Sequence, residues 1–196
     1  MRGRHLHRAL TLLLSLLLMA AVSAADEAAL KAGVFSPARQ APDFSLTGSD
    51  GAELKLSRYR GKVVVLAFGF TSCPDVCPVT LGTLAQARKK LAAAGSEFQV
   101  VYVTVDPERD DAERMRTYLA TFDASFIGGT GKAERLDAVR KEYGILAEKK
   151  AAEAGYTVAH SSYTYLIDRD GNLRALMPYG HPADDYVHDI RILLKK

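Results

Sequence analysis

The chain has 196 residues, of which 48% are hydrophobic and 25% are charged, and its formal net charge is +3. Arg2, Arg4 and Arg8 account for the excess positive charge, so the rest of the chain is neutral and lacks the sustained basic face that nucleic acid requires. Two cysteines are too few for a disulfide scaffold, and the length fits one domain with an ordinary core.

The N-terminal segment is typical of a secretory signal peptide. A basic flank precedes an apolar run over residues 9–22, which ends in the small-residue motif Val22–Ala24. We expect residues 1–24 to be removed by cleavage before Ala25, and the protein to be periplasmic or otherwise exported. The apolar run is short for a membrane span of about 20 residues. If it is retained, it would anchor the protein in the inner membrane, facing the periplasm.

Residues 25–40 are small, polar and contain proline, which predicts a flexible tether before a folded domain of residues 41–196. In that domain, alternating or continuous apolar runs predict strands, and apolar residues at helical spacing predict helices. The predicted order is a hairpin over 43–56, a buried strand over 63–68, a helix after Pro78, a strand over 98–105, helices over 111–121 and 132–143, a hairpin over 163–177 and a helix over 184–194. Residues 126–131 are expected to form a loop, and residues 147–155 an exposed insertion. This order predicts an α/β fold with a mixed sheet flanked by helices.

Cys73 and Cys77 follow the first buried strand and precede the next helix. Ligand sites in open α/β sheets form at this end of the strands. A thiolate is both a soft metal ligand and a redox nucleophile, and a helix start lowers thiol pKa values, so the pair allows either a shared metal ion or a disulfide. Pro74, Asp75 and Pro78 indicate a turn, which argues against two deeply buried, inert cysteines.

A metal held by two thiolates needs a further ligand, and the candidate is a histidine. His160 directly precedes a predicted core strand, far downstream of the cysteines. His181 and His188 lie at the start of and within the last predicted helix, where capping or solvent exposure is expected. Two cysteines and one histidine suit copper, and zinc would also accept such a set with a fourth ligand.

Acidic residues provide a competing metal-site hypothesis. Asp106 and Glu108 follow a predicted strand, and Asp110 or Asp111 precedes a predicted helix. This placement favours strand termination and helix capping over metal binding. Asp75 is open between two roles, a turn residue that bonds its own backbone and an acidic group that steers a cation or a basic partner.

Four segments, in this order, resemble the SCO/SenC family: Gly69–Pro78, Val105–Asp110, Phe126–Gly131 and His160–Asp168. The first of these is highly specific, and the resemblance runs from about Ala41 to the end of the chain. It implies a thioredoxin-like fold with a peroxiredoxin-style N-terminal hairpin.

The resemblance also implies a function. One copper ion, Cu(I) or Cu(II), would be held by Cys73, Cys77 and His160. The protein would be a metallochaperone that delivers copper to, or matures, the dinuclear copper centre of cytochrome c oxidase. Its partners would be the copper-bearing subunit of that oxidase and other copper carriers. Two departures are evident: Gly129 stands where the family often has a larger residue, and a cleavable segment replaces the usual membrane anchor.

The alternative function is a thiol–disulfide oxidoreductase that reduces partner cysteines through a redox-active Cys73–Cys77 disulfide. Thioredoxin-type enzymes have one residue fewer between their cysteines and a tryptophan beside them, and this chain has no tryptophan. A peroxiredoxin is a further rival, but Pro74 occupies the place of its threonine relative to Cys77. The pattern therefore favours copper, with the disulfide as the oxidised, copper-free form of the same site, and it assigns no catalytic residue.

Overall fold

The computed structural model describes residues 30–152 and 155–195. The predicted signal peptide, residues 1–24, lies outside the described residues. The strands are β1 Gly33–Gln40, β2 Ser45–Gly48, β3 Glu53–Lys55, β4 Val63–Gly69, β5 Phe98–Thr104, β6 Ile127–Thr130, β7 Ala147–Ala152, β8 Gly155–His160, β9 Tyr163–Ile167 and β10 Asn172–Pro178. The helices are α1 Val76–Leu91, α2 Ala112–Ala120, α3 Ala133–Glu142 and α4 Ala183–Leu194.

Eight of these strands form one sheet in the order β1-β10-β9-β4-β5-β6-β2-β3. The central strands β4, β5 and β6 are parallel, and β9 runs antiparallel to β4. Every residue of β4 and β5 is buried, as expected for strands covered on both faces. The predicted mixed α/β fold is confirmed, together with the hairpins β2–β3 and β9–β10.

The predicted tether does not hold for its last eight residues, which form the edge strand β1. This strand pairs with β10, with Gly33 opposite Leu176 and Gln40 opposite Asn172. All of its residues are exposed or half-buried, so its composition resembles that of a linker. Backbone pairing with β10, which the composition does not reveal, places it in the sheet.

The predicted loop over residues 126–131 is wrong, because Ile127–Thr130 forms strand β6 between β5 and β2. Glycine is a poor strand former, and Gly128 and Gly129 obscured the strand. Both are needed for close packing. A Cβ atom at Gly128 would lie 2.9 Å from Met115 Cε, and one at Gly129 would lie 2.8 Å from Leu54 Cδ2.

Strands β7 and β8 form a separate two-stranded ribbon. The expected exposure of this region is observed, since all of β7 except Ala147 is exposed. The pairing itself was not predicted, because β7 is charged and rich in alanine and shows no alternation. Across residues 30–152 and 155–195, none of the helices combines the length and the apolar character needed to cross a membrane.

Candidate metal centre

Both cysteines are placed by the junction between β4 and α1. Strand β4 ends at Gly69, and Asp75 occupies the N-cap position of α1 without a side-chain capping bond. Cys77 therefore lies in the first helical turn, and Cys73 lies just before it. Cys77 is 3% exposed whereas Cys73 is half-buried. The turn thus keeps Cys73 accessible and buries Cys77, so the argument against deep burial holds for Cys73 and fails for Cys77.

His160 is the last residue of β8 and is brought to the cysteines by the fold. Its Nε2 atom lies 3.5 Å from Cys77 Sγ, and its Nδ1 atom lies 2.8 Å from the carbonyl oxygen of Ser161. An Nδ1–H group that donates to this carbonyl leaves the Nε2 lone pair free to bind a metal. The imidazole also packs edge-to-face on Phe70, with 5.8 Å between ring centroids.

Among the described residues, one group of three or more potential donors converges on a point. The two Sγ atoms and a ring nitrogen of His160 all lie within 4.8 Å of one another. Donors that share one ion at about 2.0–2.3 Å can be at most about 4.6 Å apart, so little closure is needed. Two soft sulfur donors and one imidazole fit copper.

The two thiols are not equivalent electrostatically. A hydrogen bond from the Cys77 thiol is the main factor that lowers the pKa of Cys73. His160 and the backbone N–H groups of Asp75 and Cys77 lower it further, and the Cys77 N–H lies 3.5 Å from Cys73 Sγ. These contacts favour the thiolate at Cys73 near neutral pH.

Cys77 is shifted in the opposite direction. Its hydrogen bond to Cys73 and its burial both raise the pKa of the Cys77 thiol. The neighbouring phenol of Tyr102 is fully buried, and burial is the main cause that raises the pKa of that phenol well above its usual value. Without a metal, the site therefore holds one thiolate and one thiol.

A buried carboxylate holds the start of the cysteine loop. Asp110 accepts hydrogen bonds from Thr71 N at 3.0 Å, Thr71 Oγ1 at 2.6 Å and Thr104 Oγ1 at 2.7 Å. Arg114 donates to Thr71 Oγ1 at 2.7 Å and to Ser72 Oγ at 2.9 Å. Asp110 thus joins β5, the loop before α2 and the cysteine loop.

The acidic cluster therefore has structural roles, as the sequence favoured. Asp111 caps α2 by accepting from Arg114 N at 2.8 Å. Asp106 forms an ion pair with Arg109 and lies outside the donor group. The role of Asp110 in holding the cysteine loop was missed, because an aspartate just before a helix is usually explained as a helix cap. Its position inside the Val105–Asp110 segment was the available signal.

The other two histidines of the described residues are half-buried, and each pairs with an aspartate instead of capping the helix. His181 Nδ1 lies 2.8 Å from Asp185 Oδ2, and His188 Nδ1 lies 2.9 Å from Asp189 Oδ1. Neither belongs to the donor group.

Three further residues shape the site: Gly69, Phe70 and Tyr102. The first two lie in the Gly69–Pro78 segment but were given no role, and Tyr102 was missed because an apolar residue inside a buried strand usually indicates core packing.

The space beside the donors is small. The cavity lined by Cys77, Tyr102, His160 and their neighbours measures about 10 Å³. A cavity needs about 10–15 Å³ to hold a single water molecule. This cavity is therefore too small for an organic substrate.

Comparison with known proteins identifies the family. The SCO1/SenC family model matches residues 35–195 of the chain. The mitochondrial SCO2 homolog of Mus musculus is 36% identical over 153 residues, which cover 76% of this chain and 60% of the mouse protein. The chain therefore spans less than two thirds of the length of that relative.

Solved structures share the fold. Apo Sco1 from Thermus thermophilus is 35% identical, with a TM-score of 0.76 and coverage of 84% of this chain and 97% of that one. Bradyrhizobium japonicum ScoI, solved with copper bound, is 28% identical, with a TM-score of 0.74 and coverage of 79% and 99%. The predicted thioredoxin-like architecture is confirmed by this similarity.

Proposed function

The chain belongs to the SCO1/SenC family, and on that basis we propose that it is a copper carrier that binds one ion through Cys73, Cys77 and His160. The observation that carries this proposal is the convergence of two Sγ atoms and one imidazole nitrogen within 4.8 Å. The copper-bound Bradyrhizobium japonicum structure supports the choice of metal.

The donor set suits both oxidation states of copper. Two thiolates satisfy soft Cu(I), and the imidazole of His160 adds a donor suited to Cu(II). Binding requires the loss of the Cys77 proton, because the pKa of this thiol is raised by its hydrogen bond to Cys73 and by burial. Affinity should therefore rise with pH across the neutral range, as the free protein releases this proton only with difficulty.

The cargo would pass to a partner by ligand exchange. Cys73 is the accessible sulfur, and Cys77 is covered. An incoming thiolate would replace the accessible ligand first, and the buried one would leave last. We propose delivery to, or maturation of, the dinuclear copper centre of cytochrome c oxidase, outside the cytoplasm, with the copper-bearing subunit of that enzyme as partner.

The site is tested by metal analysis of the reduced protein and its His160→Ala and Cys73→Ser variants. We expect stoichiometric copper in the parent, with a thiolate-to-copper absorption band for Cu(II). Loss of His160 should weaken Cu(II) binding about 10-fold or more, in line with removal of a ligand or its support. Unchanged Cu(II) binding by His160→Ala would overturn the ligand set.

A thiol–disulfide oxidoreductase is the second candidate, favoured by the contrast between the two cysteines. The Cys73 thiolate would attack a partner disulfide, release one partner thiolate and form a mixed disulfide. Cys77 would then pass its proton to the partner thiolate released first, and its sulfur would attack Cys73, release the second partner thiolate and leave a Cys73–Cys77 disulfide. The partner gains two electrons and the protein loses two.

The redox activity is measured with copper-free protein and a disulfide substrate. This function predicts stoichiometric reduction that is abolished by Cys73→Ser and reaches the same extent in His160→Ala, although at a lower rate because His160 lowers the pKa of Cys73. The copper function predicts dependence on His160. Both assays on the same preparations distinguish the two activities.

A further inference from the structure

We propose that Arg109 is a positioning residue that holds the ribbon carrying His160 against the loop carrying the cysteines. It would thereby set the distance between the imidazole and the two sulfur atoms. This inference rests on the ligand set proposed above, and it assigns Arg109 no contact with the metal.

The position of His160 depends on how the β7–β8 ribbon is attached. Within the described part of the chain, β7 and β8 pair with each other and stand outside the eight-stranded sheet. His160 is the last residue of the ribbon and lies opposite Ala147. The cysteines, by contrast, follow the central strand β4. The two-residue link to β9 fixes one end of the ribbon, and side-chain contacts from the body set how the rest of it, and with it the imidazole, lies against the cysteine loop.

Arg109 contacts both halves of the site. Its guanidinium carbon lies 4.0 Å from the ring centroid of Tyr156 on β8 and 5.6 Å from that of Phe70, which precedes the cysteine loop. Its Nη1 atom donates to the carbonyl oxygen of Tyr156 at 3.1 Å. Phe70 in turn packs against the His160 ring. One side chain thus bridges the ribbon and the cysteine loop.

Arg109 is itself held by a buried partner. The Asp106 side chain is fully buried and forms an ion pair with Arg109 Nε. Tyr156 Oη donates to Asp106 Oδ1 at 2.8 Å, which closes a ring of three side chains.

Other contacts also attach the ribbon. Val158 on β8 is buried in the core, and Tyr156 Oη donates to Glu108 Oε2 at 3.3 Å. The ion pair of Lys149 Nζ with Glu108 Oε1 at 2.5 Å is solvent-exposed and contributes little.

Loss of the Arg109 contacts should affect the two oxidation states of copper differently. Two thiolates suffice for soft Cu(I), whereas Cu(II) depends more on the imidazole. A ribbon released from Arg109 would leave the cysteine pair intact and displace His160. Loss of Arg109 should therefore weaken Cu(II) binding more than Cu(I) binding.

The test is a double-mutant cycle of Arg109→Gln and His160→Ala on the full chain. Competition with chelators gives the affinities for Cu(I) and Cu(II), and thermal unfolding of copper-free protein reports stability. We expect Arg109→Gln to weaken Cu(II) binding about 10-fold or more and Cu(I) binding less than about 3-fold. In the His160→Ala background, Arg109→Gln should cause no further loss. Arg116→Gln, at an exposed position on α2, is the matched control and should change neither affinity.

Several outcomes would overturn the proposal. Equal weakening of Cu(I) and Cu(II), or an undiminished effect in the His160→Ala background, would mean that Arg109 does not act through the histidine. Unchanged Cu(II) affinity in Arg109→Gln would do the same. If Arg109→Gln does not fold, Tyr156→Leu removes the ring under the guanidinium and should show the same selective loss. His160→Ala with parental Cu(II) affinity would refute the ligand set itself.

Discussion

Single residues decide how the two thiols of the site differ. Cys73 is half-buried and Cys77 is buried, although both belong to one short turn. The hydrogen bond between them lowers the pKa of Cys73 and raises that of Cys77. The accessible sulfur is therefore also the one that ionises first.

We expect Cys73 to be alkylated faster than Cys77 in reduced, copper-free protein. Because the pKa of Cys73 is lowered, its labelling rate should stay high below pH 8, where an ordinary thiol with a pKa of about 8.5 slows down. Peptide mapping by mass spectrometry after timed iodoacetamide exposure measures both rates. Faster labelling of Cys77 would contradict the assigned asymmetry.

Asp110 stabilises the cysteine loop, so Asp110→Asn should weaken both the fold and the site. The amide nitrogen of asparagine would face the donors that Asp110 now accepts from, Thr71 and Thr104. We expect the free energy of unfolding to fall by about 2–3 kcal/mol, as for a lost charged hydrogen bond. Chemical denaturation measures this change.

Asp111→Asn is the matched control for that substitution. Asp111 is an exposed helix cap, and asparagine caps helices about as well as aspartate. Its free energy of unfolding should change by less than about 0.5 kcal/mol. Equal effects of the two substitutions would show that Asp110 has no special role.

Gly69 lies beneath the site and leaves no room for a side chain. A Cβ atom there would lie 2.8 Å from Cys77 Sγ and would also collide with the hydroxyl of Tyr102. Gly69→Ala should therefore lower copper affinity, measured by chelator competition. Gly82→Ala, on α1 with no atom within 4 Å of the added methyl, should leave affinity unchanged and stabilise the helix by about 1 kcal/mol.

At the scale of elements, the edge strand β1 and the segment before it belong to the domain. Asp189 on α4 is fully buried and accepts from Lys31 N at 2.8 Å and Ala32 N at 2.9 Å. These bonds fix the chain just before β1. The small and polar residues of this segment predicted a tether. Composition does not reveal that a carboxylate far along the chain, Asp189, binds its backbone.

Asp189→Ala should release this segment. Two backbone donors would lose a charged acceptor, so we expect amide exchange at Lys31 and Ala32 to speed up about 10-fold or more. Hydrogen exchange followed by NMR measures the two rates. Asp184→Ala, an exposed position on the same helix, should leave them unchanged.

At the scale of the whole molecule, residues 30–152 and 155–195 contain the sheet, the helices and all three donors. We therefore expect a protein that begins at Ala25 to bind copper as the full chain does. Isothermal titration of both forms with copper provides the comparison. A weaker site in the shorter protein would show that residues before Ala25 contribute to the domain, against the proposed signal peptide.

Oxidation should close the site to copper. A Cys73–Cys77 disulfide would remove two of the three donors and leave His160 alone. Thiol titration confirms complete oxidation, and the copper bound is then measured. Oxidised protein that still binds copper would exclude a dithiolate site.

The sequence alone determined the elements whose periodicity is strong and local. Examples are the buried runs of β4 and β5, the helical spacing in α1 and the turn between β9 and β10. Each depends on residues close together in the chain, so the order of apolar and polar residues predicts it. The sequence also singled out the cysteine pair as a candidate site, because few residue types can bind copper, whereas the choice of His160 over the other histidines came from the family resemblance.

Only the tertiary structure decided which groups meet. It placed His160 beside Cys77, buried that thiol while leaving Cys73 accessible, and joined Arg109 to both Tyr156 and Phe70. It also drew β1 and the glycine-rich β6 into the sheet. These outcomes depend on contacts between residues distant in the chain, and the energies of such contacts are set by packing and burial rather than by local pattern.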